Sequence, residues 1–184
     1  MHRTPGAREI RAAHTAETLT VYQAYRPDLG LPAARDGRFP PAWKRDRMTW
    51  IKPSFLWMMY RCGWGTKPGQ ETVLAIEIPR AEFERALREA SLSRRAERER
   101  PNRVQWDPER DLRLDRLPYR SLQLGLAPES ARRYADEWAV SVTDVTPLAH
   151  EIHAHVRAGE RERAEALLPA ERPYPAGDFL DHLR

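Results

Sequence analysis

Apolar and polar positions first alternate regularly at Thr18. In TLTVYQAY (18–25), Val21, Gln23 and Tyr25 fall on one side and Tyr22, Ala24 and Arg26 on the other, which predicts a strand. Pro27 ends it, Asp28 can cap a short helix through Ala34, and Gly37 supplies the stop. Thr49 to Lys52 reads as extended, and Pro53 suits a first helical turn. A helix is expected over Ser54 to Arg61, released at Gly63. Phe55 to Tyr60 are apolar or aromatic all the way round, so this helix should be buried on most sides. TVLAIEI (72–78) predicts a second strand closed by Pro79. In EFERALREA, Phe83, Ala86, Leu87 and Ala90 then recur at helical spacing.

Beyond the charged linker Arg94 to Asn102, VQW (104–106) reads as a short strand, DPERD (107–111) as a turn and YRSLQLGL (119–126) as a strand. Pro128 to Tyr134 predicts a helix, Trp138 to Val142 a strand, and Thr146 to Arg157 a helix stopped by Gly159. A last short helix covers Glu160 to Leu168. The pattern implies an α+β fold: one compact domain over residues 18–168, with a central mixed or antiparallel sheet of four to six strands and flanking helices. Residues 1–17 are expected to form a frayed N-terminal segment and 169–184 a C-terminal tail.

Length and composition support one self-sufficient core. A domain of 184 residues should bury roughly 70% of its unfolded surface. The single cysteine excludes an internal disulfide and a multi-cysteine zinc site, and the N-terminus lacks the apolar core of a signal peptide, which points to the cytoplasm. FLWMMY (55–60) is far shorter than the roughly 20 residues a membrane span needs. The net charge of +4 admits polyanionic partners, but 31 basic residues stand against 27 acidic ones. The Arg-rich run RRAERER (94–100) alternates with Glu and reads most simply as solvated.

Charge changes the picture most between Arg47 and Gln70. Trp50, Trp57 and Trp64 recur there every seven residues, and the stretch holds Arg47, Lys52, Arg61 and Lys67 without one acidic residue. A buried cation costs several kcal/mol unless paired or hydrogen-bonded, so an anion is expected nearby. One reading is a grip on phosphate or a dinucleotide, with Arg26, Arg110 and Arg120 adding charge and the Gly63 to Gly69 loop adding N–H groups. The other is an internal network with Asp107, Glu109 and Asp111, or with Glu71 and Glu77. Among the aromatic residues, Trp57 and Tyr60 read as core, whereas Trp64 and Tyr25, beside glycines and at a strand end, are the better candidates to stack on a ligand.

Other motifs carry less. HEIHAH (150–155) places Ala154 where a zincin needs its second histidine, so no metal is expected. Cys62 has no base nearby in sequence and reads as a small buried residue. GxGxxG, a Walker loop, GxSxG and a carboxylate pair at a telling spacing are all missing, which argues against ordinary dehydrogenases, kinases and hydrolases.

VYQAY, RMTWIKPSFLWMMYRCGWG, VQWDPER and YRSLQLGL together resemble the uncharacterised family called domain of unknown function 4291, over nearly the whole chain. The order of elements is also similar, more remotely, to the ADP-ribosyltransferase-like superfamily. There the first strand supplies Arg or His to NAD, a Ser/Thr segment shapes the nicotinamide pocket, and a late Glu or Gln aligns the ribose. By order, that resemblance gives Gln23 or Arg26 the first role, Thr49 and Ser54 the second, and Gln123 or Glu137 the catalytic third. Tyr25, Arg47, Lys52, Arg61, Trp64, Lys67 and Arg120 would complete the NAD-binding set. Gln23 departs from the superfamily's Arg or His, and WIKP interrupts the Ser/Thr motif. The expectation is an NAD-binding or nucleotide-binding transferase. The alternatives are a non-catalytic nucleic-acid module and a protein-interaction domain.

Overall fold

In the computed structural model, residues 6–95, 99–175 and 177–183 are described. In chain order they form β1 (Arg11–Ala12), β2 (Thr18–Tyr25), α1 (Pro27–Asp36), β3 (Thr49–Ile51), α2 (Phe55–Cys62), β4 (Thr72–Pro79) and α3 (Arg80–Arg88). β5 (Ala90–Leu92), β6 (Asn102–Arg110), β7 (Arg116–Leu126) and α4 (Pro128–Arg133) follow, and α4 runs into a π-helical turn, Tyr134–Trp138. β8 (Ser141–Asp144), α5 (Thr146–Ala158), α6 (Arg161–Leu167), β9 (Arg172–Pro173) and a 3-10 turn, Asp178–Leu183, complete the fold.

The fold is α+β, with its strands divided between two main sheets. β2, β4 and β8 form an antiparallel sheet in the order β2-β4-β8, while β3-β7-β6-β5 form a mixed one whose single parallel pair is β5 with β6. Alternation along β2 and β4 explains the layering. Leu19 and Val21, with Leu74, Ile76 and Ile78, share one apolar cluster with Val104, Leu122 and Leu124 of the four-stranded sheet. The opposite faces, through Tyr22 and Val73, join Phe55, Met58 and Met59 of α2 and Ala149 and Ile152 of α5. As the all-round apolar pattern predicts, α2 is largely buried; Tyr60 is its exposed aromatic residue.

Four segments differ from the sequence reading, the first being the strand expected over Trp138 to Val142: Trp138 ends the π-helical turn and β8 starts at Ser141. DPERD is not a turn: β6 continues through Pro108 to Arg110, with a register shift between Pro108 and Arg110. β5 is present beside the charged linker, although three residues give alternation nothing to work on. The two ends are tied down, because β1 pairs with β9. Tyr174, Phe179, Leu180 and Leu183 are buried in the main core, and Trp106 Nε1 donates to Leu183 O at 2.8 Å. Among the described residues no helix is long and apolar enough to cross a membrane.

Candidate functional site

The N-terminus of α2 organises the site. No acidic residue stands in its first turn, so the orphan N–H groups there must be satisfied from elsewhere. Ser54, the N-cap, accepts from Trp57 N at 3.1 Å and donates its own hydroxyl proton to Glu109 Oε1 at 2.9 Å. Glu109 also accepts from Arg110 N at 2.8 Å, while Phe55 N donates to Glu171 Oε1 at 2.6 Å. Two carboxylates 62 positions apart in the chain, 171 less 109, are therefore anchored to consecutive residues of one helix start.

Both carboxylates are perturbed, and for the same first reason. Burial raises the pKa of Glu109, which is 5% exposed, against the opposing hydrogen bonds from Arg110 N, Ser54 and Ser121. Burial also pushes Glu171 up to about 8; the Phe55 N–H opposes this, the Glu109 charge adds to it, and Arg11 opposes it. With its pKa raised to about 8, Glu171 keeps its proton at neutral pH, and the Glu109 charge is part of the reason. The two carboxyl groups face a cavity of about 360 Å³ roofed by α5, α6 and the β6–β7 hairpin, with Arg11, Arg110, Arg161 and Tyr119 in its wall. Burial, and then the Glu109 charge, raise the pKa of Tyr119. The Arg110 guanidinium lies 3.6 Å from the Tyr60 ring centroid and gives Nη1 to Leu114 O at 3.1 Å. Its buried Nε has no partner among the described residues. The arrangement can donate a proton, accept one, and hold an anionic group at its rim.

Of the residues given NAD-binding or catalytic roles from sequence, only Ser54 lines this cavity; Arg110, named there as an added cation, and Glu109 and Asp111, named as internal counter-ions, line it as well. Gln23, Tyr25 and Thr49 meet instead at the junction of β2, β3 and the π turn. Gln23 Nε2 donates to Thr49 Oγ1 at 2.8 Å and to Trp50 O at 3.0 Å, and its Oε1 accepts from Tyr134 OH at 2.9 Å. Tyr25 OH accepts from Trp43 Nε1 at 2.8 Å, and burial pushes its pKa up to about 12. This network is closed on itself. Gln123 Nε2 donates to Asp107 Oδ2 at 2.8 Å on the four-stranded sheet, and Glu137 sits at the surface 3.4 Å from Arg133. Arg26 pairs with Asp28 at the start of α1, Arg120 gives Nη1 to Trp106 O at 3.0 Å, and Arg47 is exposed. Trp64 is 4% exposed and stacks on His153, centroids 5.2 Å apart.

Of the acid-free cations, the two lysines are answered by carbonyls and rings, not by a shared anion, while Arg47 and Arg61 are exposed. Lys67 Nζ reaches the C-terminal carbonyls of α2, Tyr60 O at 3.3 Å and Arg61 O at 2.8 Å. Lys52 is 8% exposed; its Nζ donates to Trp50 O at 3.1 Å and lies 5.6 Å from the Trp57 ring centroid. Burial and then the Arg61 charge push the Lys52 pKa down to about 7, with Asp107 opposing. The folded protein thus binds fewer protons at Lys52 than the unfolded chain between about pH 7 and the ordinary lysine range near 10.4, and stability rises with pH across that window. Lys52→Met removes that rise, and it raises stability at pH 7 by about 1 kcal/mol, because a desolvated ammonium is replaced by an apolar chain of similar length. Urea denaturation of both proteins at pH 7 and 9 measures it; parallel pH profiles would contradict the assignment.

His155 bonds Glu160 and His153 stacks on Trp64, and among the described residues no three metal-ligating side chains gather. Cys62 is buried and accepts from Gly65 N at 3.3 Å, and burial raises its pKa. The site residues missed from sequence are Glu109, weighed there only as a counter-ion, and Glu171, in the segment read as a tail.

An α+β domain with an acid pair at a helix start is the class that fold and site define. The chain belongs to the family described as Domain of unknown function (DUF4291), whose model matches residues 9–174. No curated protein and no solved structure matches it, and none of these comparisons supports the remoter ADP-ribosyltransferase-like resemblance.

Proposed function

We propose that this protein is an enzyme that binds NAD or a related phosphate-bearing nucleotide in the α2 cavity and carries out transferase chemistry at the ribose. The observation that carries the reading is the Glu109–Glu171 pair, held on Ser54 and Phe55 N and facing a cavity with arginines in its wall. A volume of about 360 Å³ suits the ribose-phosphate portion of such a ligand. Arg11, Arg110 and Arg161 supply charge for phosphate. When the bond from ribose C1′ to its base breaks, positive charge develops on the ring, and ionised Glu109 is the group to stabilise it. The acceptor hydroxyl forms the new bond to C1′ and releases its proton to the carboxyl pair. In this reading the acid pair takes the role that element order gives to Gln123 or Glu137, and the closed Gln23–Thr49–Tyr134 network holds the two sheets in register beside it.

Ligand-dependent melting tests the proposal. NAD, ADP-ribose or AMP at one hundred times its dissociation constant adds about 2.7 kcal/mol, a shift of roughly 5 to 10 °C for a chain of this size. Arg110→Met is expected to reduce the shift without lowering the ligand-free melting temperature by more than a few degrees. No shift with any of the three at millimolar concentration sinks the reading.

A further inference from the structure

We infer that a groove beside the free edge of β6, separate from the α2 cavity, binds the phosphate backbone of a single-stranded nucleic acid. β5 accompanies β6 only as far as the Leu92–Val104 pair. Past that point a groove of about 580 Å³ opens along Gln105, Trp106 and Asp107. Arg94 and Arg95, in the turn that follows β5, form one wall. Arg8 and Arg120 form the other, where the N-terminal segment is laid along β7 by the bonds Glu9 N to Arg120 O at 3.2 Å and Arg120 N to Ala7 O at 3.0 Å.

Four arginines therefore line the groove with one carboxylate, and that carboxylate is already engaged: Asp107 accepts from Gln105 Nε2 at 2.9 Å and from Gln123 Nε2 at 2.8 Å. Among the described residues Arg8, Arg94, Arg95 and Arg120 form no ion pair. Like charges gathered without internal counter-ions raise the local potential for a polyanion. The volume is that of a nucleotide-sized site, far more than one phosphate fills, and the partly exposed Leu92 gives a base or ribose an apolar contact, Trp106 being buried in the core. An added peptide strand suits the edge less well. Pro108, next to Asp107 in β6, has no N–H to donate, so a β-ladder continuing from β5 would be interrupted there. The inference does not rest on the α2 cavity, and its test needs no turnover.

The test is fluorescence anisotropy of the whole chain with a labelled oligothymidylate of about ten nucleotides. Three neutralised phosphates on a single strand give a salt slope of roughly −2, so affinity should fall roughly 20-fold between about 50 and 200 mM salt. Arg94 and Arg95 are both exposed. R94A/R95A should therefore fold normally, weaken binding at least ten-fold and flatten the slope by about 1.4. R38A/R132A, which removes two exposed charges elsewhere, should leave the slope unchanged. The inference is overturned if the oligonucleotide does not bind at about 50 mM salt, if both double variants behave alike, or if hexaglutamate displaces the oligonucleotide at equal concentration.

Discussion

A Glu171→Gln variant is expected to be more stable than the parent protein above neutral pH and far less active. The sign follows from the raised pKa. Between the ordinary carboxylate range near 4.3 and about 8, folded Glu171 keeps a proton that the unfolded chain has lost, so stability falls as pH rises through that window and levels off beyond it. Gln is neutral throughout and keeps an oxygen for Phe55 N, so its profile lacks this fall. The slope cannot exceed about 1.4 kcal/mol per pH unit. Because Glu171 is partly exposed, solvent screening brings the gain at pH 9 down to about 2 kcal/mol, or a melting shift of roughly 4 to 8 °C. Under the proposed transferase reading, activity moves the other way. Losing a group that donates or accepts the transferred proton costs roughly a hundred-fold or more in kcat/KM, and E109Q/E171Q should cost little beyond the worse single variant, because the two act as one unit. Urea melts at pH 5, 7 and 9 with turnover on the same preparations measure both effects. Parallel stability profiles would show that Glu171 ionises normally; a flattened profile with unchanged turnover would reduce it to a structural acid.

What was legible in the sequence followed from local physics. β2 and β4 were readable because alternation over eight residues leaves one register that buries the apolar face. The start of α2 was readable because Pro53 and Ser54 precede an apolar run with a glycine at its end. The acid pair was not. Glu109 and Glu171 meet only because β1 pairs with β9 and lays the C-terminal segment beside α2, a contact between two stretches with no periodicity of their own. The acid-free cations are no guide to an anion, because a carbonyl oxygen or an aromatic face can meet positive charge in place of a carboxylate. Lys52 and Lys67 are met by carbonyl oxygens and aromatic faces, partners that every sequence contains and no spacing reveals. Meanwhile Arg94 and Arg95, in a run that reads as solvated, stand over a groove because β5 ends where β6 continues.

Gly30→Ala is expected to be the most damaging single methyl in the chain, although local propensity argues the opposite. In an exposed helix interior the change would stabilise by about 1 kcal/mol. Gly30, however, faces the first residue of β4: a Cβ there would stand 2.5 Å from Thr72 Cβ and 2.6 Å from its Cγ2. Thr72 cannot yield, being 2% exposed, β-branched and paired across the sheet with Tyr25, so α1 must lift away from β4. The strain of overpacking, about 3 kcal/mol or more, exceeds the propensity gain, and a fall in melting temperature of roughly 5 to 10 °C is expected. Gly125 offers the comparison. A Cβ there would meet the Trp50 ring at 3.0 Å and Met48 Sδ at 3.1 Å, partly exposed side chains with room to shift, so G125A should cost less than half as much. Removing the Thr72 methyl in G30A/T72S leaves the Cβ–Cβ clash in place, so only part of the loss should return. Full recovery in that double variant would show that α1 is seated against the Thr72 methyl and not against the β4 backbone's own line of Cβ atoms.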